Sequence, residues 1–144
     1  MAETQNYSNH TRWFPLVHFV VFPLLILNIF YQAFRFYQEP GSVRGIWVLI
    51  CIVFLLIALS ARVQALKAQD RVIRLEERLR YKELLSADLC KKASDLPVNQ
   101  IIALRFASDE ELGDLVTQVI DGKLTTQKEI KMAVKNWRAD YHRV

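Results

Sequence analysis

Polar and apolar positions divide the chain into two unequal kinds of sequence. From Trp13 to Ala61 apolar residues dominate and only Arg35, Glu39 and Arg44 carry charge, whereas Lys, Arg, Asp and Glu crowd the sequence after Ala61. Two apolar runs reach the roughly 17–25 residues that a helix needs to cross about 30 Å of hydrocarbon. They are WFPLVHFVVFPLLILNIFYQAF, starting at Trp13, and GIWVLICIVFLLIALSA, starting at Gly45. Pro40-Gly41 between them is a turn signal. The pattern predicts an all-α protein: a tail over 1–12, transmembrane helices over 13–35 and 45–62 joined by an extracytoplasmic loop over 36–44, a juxtamembrane helix over 63–85, and a small cytoplasmic helical domain over 86–144. The residues before Trp13 carry only one Arg and one Glu and no small-residue cleavage site follows the run, so the first segment reads as a span rather than a leader.

Lys and Arg cluster at the exit of the second span (Arg62, Lys67, Arg71, Arg74), which places both termini in the cytoplasm of a bacterial inner membrane, with the lipid bilayer as the first partner. Trp13, Phe14, Tyr31, Phe36, Tyr37 and Trp47 fall where aromatic residues line membrane interfaces. In the first span, interior Pro23 frees the carbonyl of Phe19 and predicts a kink. His18, Asn28 and Gln32 lie within about 80° of each other on a regular helix, a candidate intramembrane polar face directed at the second span or another protein. Antiparallel pairing would bring Asn28 level with Cys51 and His18 level with Ser60. A relay or pore built from this face in an oligomer, as in a small channel or transporter accessory subunit, is the alternative to plain interhelical hydrogen bonding.

From Arg62 to Leu85 there is no Gly, Pro or turn cluster, so one helix is expected from Gly45 to Leu85. Asp70 with Arg74 and Glu76 with Arg80 are spaced as exposed i,i+4 pairs. Its apolar positions include Val63, Leu66, Val72, Ile73, Leu75, Leu79, Leu84 and Leu85. Val72, Leu75 and Leu79 fit a short seam that Asp70 and Lys82 interrupt; coiled-coil dimerisation through it is the alternative, and the apolar flank is expected first to pack on the chain's own C-terminal helices.

Ser86 and Pro97 start two short helices. Ser108 with Glu111 forms a capping box ahead of the stripe Leu112, Leu115, Val116, Val119 and Ile120, and Gly122 closes that helix. Thr126 with Glu129 repeats the box before a last helix, expected to run on through Trp137 and Tyr141. Lys128, Lys131, Lys135 and Arg138, with His142, share an arc of that helix, a candidate basic face for lipid headgroups or a partner. The acidic run Asp109, Glu110, Glu111 reads as a first turn that complements the helix dipole rather than as a metal site.

Composition sharpens these readings in two places. With 144 residues, 52% hydrophobic content and a slightly positive mean hydropathy, the chain is too oily for a soluble domain of its length. A net charge of +4 is too small to imply nucleic acid. There is no GxSxG, no HExxH and no Gly-rich phosphate loop, and the three histidines are scattered, so no catalytic activity, cofactor, metal or small-molecule ligand is inferred. A membrane-anchored interaction or scaffold protein remains, acting through its helical tail on a protein partner or on further copies of itself.

The segments NYSNHTRWFPLVHF, ALKAQDRVIRLEERLR, QIIALRFASDEEL and KEIKMAVKNWRADYHRV together resemble a bacterial family of two-span membrane proteins known only as a domain of unknown function. The resemblance covers nearly the whole chain. It implies an integral membrane protein with a cytoplasmic helical tail, and it carries no activity or site residue.

Overall fold

A computed structural model describes residues 5–9 and 13–140. These residues are all-helical, with no strand among them beyond one isolated antiparallel bridge, Ala107 to Trp137. A π-turn over Leu16–Val21 leads into α1 (Phe22–Gln38), and α2 (Ser42–Leu84), α3 (Ala87–Ser94), α4 (Val98–Leu104), α5 (Asp109–Ile120) and α6 (Gln127–Ala133) follow. Two compact units contain them, residues 13–66 and residues 67–140 together with residues 5–9, and the boundary falls inside α2.

In the first unit, Leu16–Gln38 and the start of α2 are long and apolar enough to cross a membrane. The turn between the helices is shorter than the sequence predicts. Helix α1 persists to Gln38 because nothing breaks it before Pro40, whose ring drives Glu39 out of the helical region to φ −140°, ψ 86°. Arg44 closes the turn, pairing with the Glu39 carboxylate and donating to the Glu39 carbonyl (3.0 Å). Pro23 acts otherwise than as a simple kink. It supplies no N–H, and the turn before it widens so that the Phe22 N–H reaches back five residues to the Val17 carbonyl.

The second unit is built on punctuation that the sequence spells out. Ser86 caps α3 by accepting from the Leu89 N–H (3.4 Å), and Pro97 opens α4. Glu111 accepts from the Ser108 N–H (3.3 Å) at the head of α5, and Gly122, at φ 75°, terminates that helix in the left-handed region that disfavours a side chain. At α6 the Thr126 hydroxyl accepts from the Glu129 N–H (3.2 Å), while Glu129 Oε2 accepts from the Thr125 and Thr126 N–H groups, both at 2.9 Å. Those donors hold the Glu129 carboxyl below the ordinary carboxylate range, the Thr126 N–H most strongly.

Ile101, Leu104, Phe106, Leu112, Val116 and Ile130 are fully buried between α4, α5 and α6. Each such side chain removed from water contributes about 1.5–3 kcal/mol before conformational entropy is charged against it. Helix α2 enters this core with Tyr81, also fully buried, whose hydroxyl has no hydrogen-bond partner among the described residues. Burial first, and then the Glu77 carboxylate, push that phenol above its ordinary value. An unsatisfied buried hydroxyl is a net cost, so Tyr81→Phe should raise the stability of the unit by about 1 kcal/mol. Slower amide exchange in α5 of the full chain in detergent would register the gain, and faster exchange would contradict it.

Two expectations for this unit are corrected. The flank of α2 that packs inward is Ile73, Glu77, Arg80 and Tyr81; of the apolar positions read from the sequence, Val63, Leu66, Val72, Leu75, Leu79 and Leu84 are exposed. The last helix stops at Ala133, and Val134 turns extended at φ −66°, ψ 122°. The residues after it find better partners than a helix offers. Lys135 and Asn136 donate their N–H groups to Glu111 (3.1 Å each), and the Arg138 N–H reaches the Phe106 carbonyl (2.8 Å). Tertiary hydrogen bonds override a sequence pattern that is locally helical.

Candidate functional site

The densest charged constellation lies where α2, the end of α4 and the extended segment 134–140 meet. Arg80, with its side chain 8% exposed, is its centre. Nε donates to Asp109 Oδ1 (2.8 Å), Nη2 to the Ala107 carbonyl (2.7 Å), and Nη1 to Glu77 Oε2 (3.3 Å). Glu77 also faces Arg138 Nη1 at 3.6 Å, and Arg105 Nη2 lies 3.3 Å from Asp140 Oδ2. Asp140 is held in turn, its N–H donating to Gln5 Oε1 (2.8 Å). A cavity of about 490 Å³ opens among Glu77, Arg80, Arg105, Arg138 and Asp140, rimmed by Val72 and Glu76.

Chemically this is a lock. Three arginines meet acidic partners at every corner, and the cavity lining holds no thiol, hydroxyl or imidazole that could act as a nucleophile. Its most perturbed acid is Glu77, which is 3% exposed: desolvation pushes its carboxyl above the ordinary value of 4.5 even against Arg80, Arg138 and Arg105. The folded state therefore binds a proton that the unfolded state releases, at every pH between 4.5 and that raised value. The contribution of Glu77 to stability is full at low pH and declines as pH rises through its folded pKa. Glu129 runs the other way, with its contribution present above the ordinary value and lost as pH falls through its depressed pKa. Acidifying from neutrality toward pH 4.5 should thus stabilise the unit through Glu77, and Glu77→Gln should flatten that rise. Pulse proteolysis of the full chain across this range reads both; an unchanged slope in the variant would refute the assignment.

Among the candidate site residues named from the sequence, Arg138 alone joins this cluster. Lys128 is exposed on α6, Lys131 Nζ sits 5.6 Å above the Phe106 ring, and Lys135 lies beyond the helix with its N–H on Glu111. The four do not form one helical face, because the helix ends before Lys135; His142 and Tyr141 lie outside the described residues. The polar face expected on the first candidate span is divided too. The π-turn advances fewer degrees per residue than an α-helix, which rotates His18 out of the expected arc. His18 Nδ1 lies 2.9 Å from the Phe14 carbonyl, between the edges of Trp13 and Phe22. Gln32 is half-buried beside Arg35, Arg44 and Trp47, and Asn28 is exposed. Ser60 accepts instead from Gln64 of its own helix (3.1 Å).

Sequence reasoning passed over Glu77, Arg80, Arg105 and Asp140 as site residues. It matched Arg80 to Glu76 as an exposed pair, whereas Arg80 turns to Glu77 and Asp109; likewise no ion pair joins Asp70 to Arg74. A signal was present in the spacing, since Ile73, Glu77, Arg80 and Tyr81 share one face at i, i+4, i+7 and i+8. A search for apolar periodicity discards the charged members of such a face. Asp109 and Glu111, read as first-turn acids, have larger duties: one anchors Arg80, and the other binds the N–H groups of residues 108, 135 and 136.

Residues 1–144, the whole chain, match the model of a family described as a family of unknown function, DUF6526. The chain belongs to that family. No curated protein and no solved structure matches it. Membership in DUF6526 brings no substrate or catalytic residue to the Glu77–Arg80 cluster, so its chemistry rests on the geometry above.

Proposed function

We propose that this member of DUF6526 is a membrane-anchored interaction protein. In this reading a two-helix hairpin sits in the bacterial inner membrane with both termini in the cytoplasm, and the unit after residue 67 presents a fixed helical surface to a protein partner. The observation that carries it is the contrast in burial between the apolar side chains of the two units. None of the apolar window of Leu16–Gln38, and 6% of that in α2, is buried within the protein, while Ile101, Leu112 and Ile130 are wholly enclosed. Unburied apolar surface of that extent needs a lipid or protein cover. The Lys and Arg excess after Ala61 supports the orientation. Glu77, Arg80, Arg105, Arg138 and Asp140 are taken up by one another and by Asp109, which supports a role in binding rather than in chemistry.

Two measurements test the reading. Single cysteines at Glu39 and Lys123, both exposed, should label from opposite sides of the membrane; labelling from one side dismisses the hairpin. Gentle solubilisation should then recover a stoichiometric complex that is lost on truncation after Ser86, and recovery of the bare chain would count against an interaction role.

A further inference from the structure

Past residue 67, α2 carries two faces of different kinds. Ile73, Glu77, Arg80 and Tyr81 face the core, while Val72, Leu75 and Leu79 are 54%, 60% and 53% exposed. The exposed three are spaced three and four apart, as positions a, d and a of a heptad. In that register Asp70 takes the outward f position and does not interrupt the seam. Ala68 precedes Val72 at d, and the same register continues N-terminally along the helix through Ala65 and Ala61. From Ala61 to Leu79 the seam covers nearly three heptads, close to what a coiled coil requires. Small residues in its first part allow close backbone approach. In its central heptad Val72 at a with Leu75 at d is the combination that favours two strands in a parallel coil, and the seam ends at Leu79 because Lys82 takes the next d position.

The flanks choose the orientation. Arg71 and Arg78 occupy the g positions, and Glu76 and Glu83 the e positions. In a parallel pair, each g residue meets the e residue of the following heptad in the other helix, so Arg71 meets Glu76 and Arg78 meets Glu83, twice over by symmetry. An antiparallel pair would set g against g and e against e, that is, arginine against arginine and glutamate against glutamate. Within the chain Arg71, Glu76 and Glu83 are exposed and form no ion pair among the described residues; Arg78 donates Nη2 to the Ser94 carbonyl (3.0 Å).

We propose that the occupant of this face is a second copy of the chain, its α2 lying parallel along the seam centred on Val72, Leu75 and Leu79. The inference deepens the interaction reading by naming the partner of one surface, and it does not depend on the partner that the rest of the unit would bind. Two copies inserted in the same sense in one bilayer present their α2 helices parallel, in agreement with the charges. Val72 and Glu76 also rim the Glu77–Arg80 cavity, so the second helix would narrow its mouth.

Cross-linking of the full chain in mild detergent tests this without reference to membrane topology. With Cys51→Ala and Cys90→Ser as background, Val72→Cys and Leu75→Cys should each oxidise to a covalent dimer with the same position of the second copy, and Lys67→Cys, off the seam, should not. Arg71→Glu should lower the dimer-to-monomer ratio about tenfold, because two attractive pairs become repulsive. Adding Glu76→Arg should restore it. Positions 67, 71, 72, 75, 76 and 79 are exposed, so these substitutions leave the core intact, and the Cys51→Ala, Cys90→Ser background, which alters one buried and one half-buried side chain, is the reference against which each is read. Equal cross-linking at Lys67→Cys, preferential joining of Val72→Cys to Leu79→Cys, capture of a protein of different mass, or indifference to Arg71→Glu would each overturn the proposal. Failure of the two-sided labelling described above would instead strike the membrane reading and leave the dimer standing.

Discussion

Replacing Arg80 with alanine is expected to destabilise the C-terminal unit by about 3–5 kcal/mol, the range for removing one partner of a buried ion pair. That is a large part of the 5–15 kcal/mol or so that holds a typical domain together. The guanidinium satisfies Glu77, Asp109 and the Ala107 carbonyl at once, and its loss leaves a carboxylate in a dry site with Arg138 at 3.6 Å and the more remote Arg105 to answer it. The cost lies in the orphaned partners rather than in any intrinsic strength of the pair. Arg80→Met combined with Glu77→Leu should therefore recover much of the loss, since both charges leave together. Urea titration of the full chain in detergent, with amide exchange in α5 as the readout, distinguishes the two variants. Equal destabilisation of both would mean that shape, and not charge, governs the site.

The second large effect is expected at Phe106. Phe106→Ala should cost about 3–5 kcal/mol, as for other fully buried aromatic residues. Its ring packs 4.9 Å from that of Trp137 and lies under the Arg105 guanidinium at 4.6 Å, so the cavity would open beneath the segment that returns from α6. The Phe106 carbonyl is also the acceptor for the Arg138 N–H. Exchange should consequently accelerate first at Lys135, Asn136 and Arg138 and only afterwards in α5. Uniform acceleration would show that the segment and the helices open as one body.

How far the sequence could foretell these sites depended on whether their determinants are local. The starts of α3 and α6 are legible because Ser86 and Thr126 accept from N–H groups three residues on, and that of α5 because Glu111 reaches back to the Ser108 N–H. The continuity of α2 is legible as an absence of breakers over Ser42–Leu84. The halt of α6 at Ala133 is not, because Glu111 and Phe106 decide it from positions more than twenty residues away in sequence. The π-turn is half legible: Pro23 announces a defect, but whether the helix bends or widens is settled by which carbonyl the Phe22 N–H reaches. The Glu77–Arg80 lock stayed hidden because a charged residue on an inner face has the same spelling as one on an outer face. Only the location of Asp109 and Arg138 in space tells them apart.

The bare apolar surface of the first unit also governs how the chain must be handled before it is folded. Leu24, Leu27, Phe30, Phe34, Leu49, Phe54 and Leu56 all point outward, in stretches free of charge for a dozen residues and more. Such windows are the segments from which self-association starts when they meet water. Pro40 and the charges at Arg35, Glu39 and Arg44 separate the two runs and keep them from acting as one adhesive block of nearly fifty residues. Released into water without an amphiphile, the chain is a seed for precipitation whatever the quality of its C-terminal core.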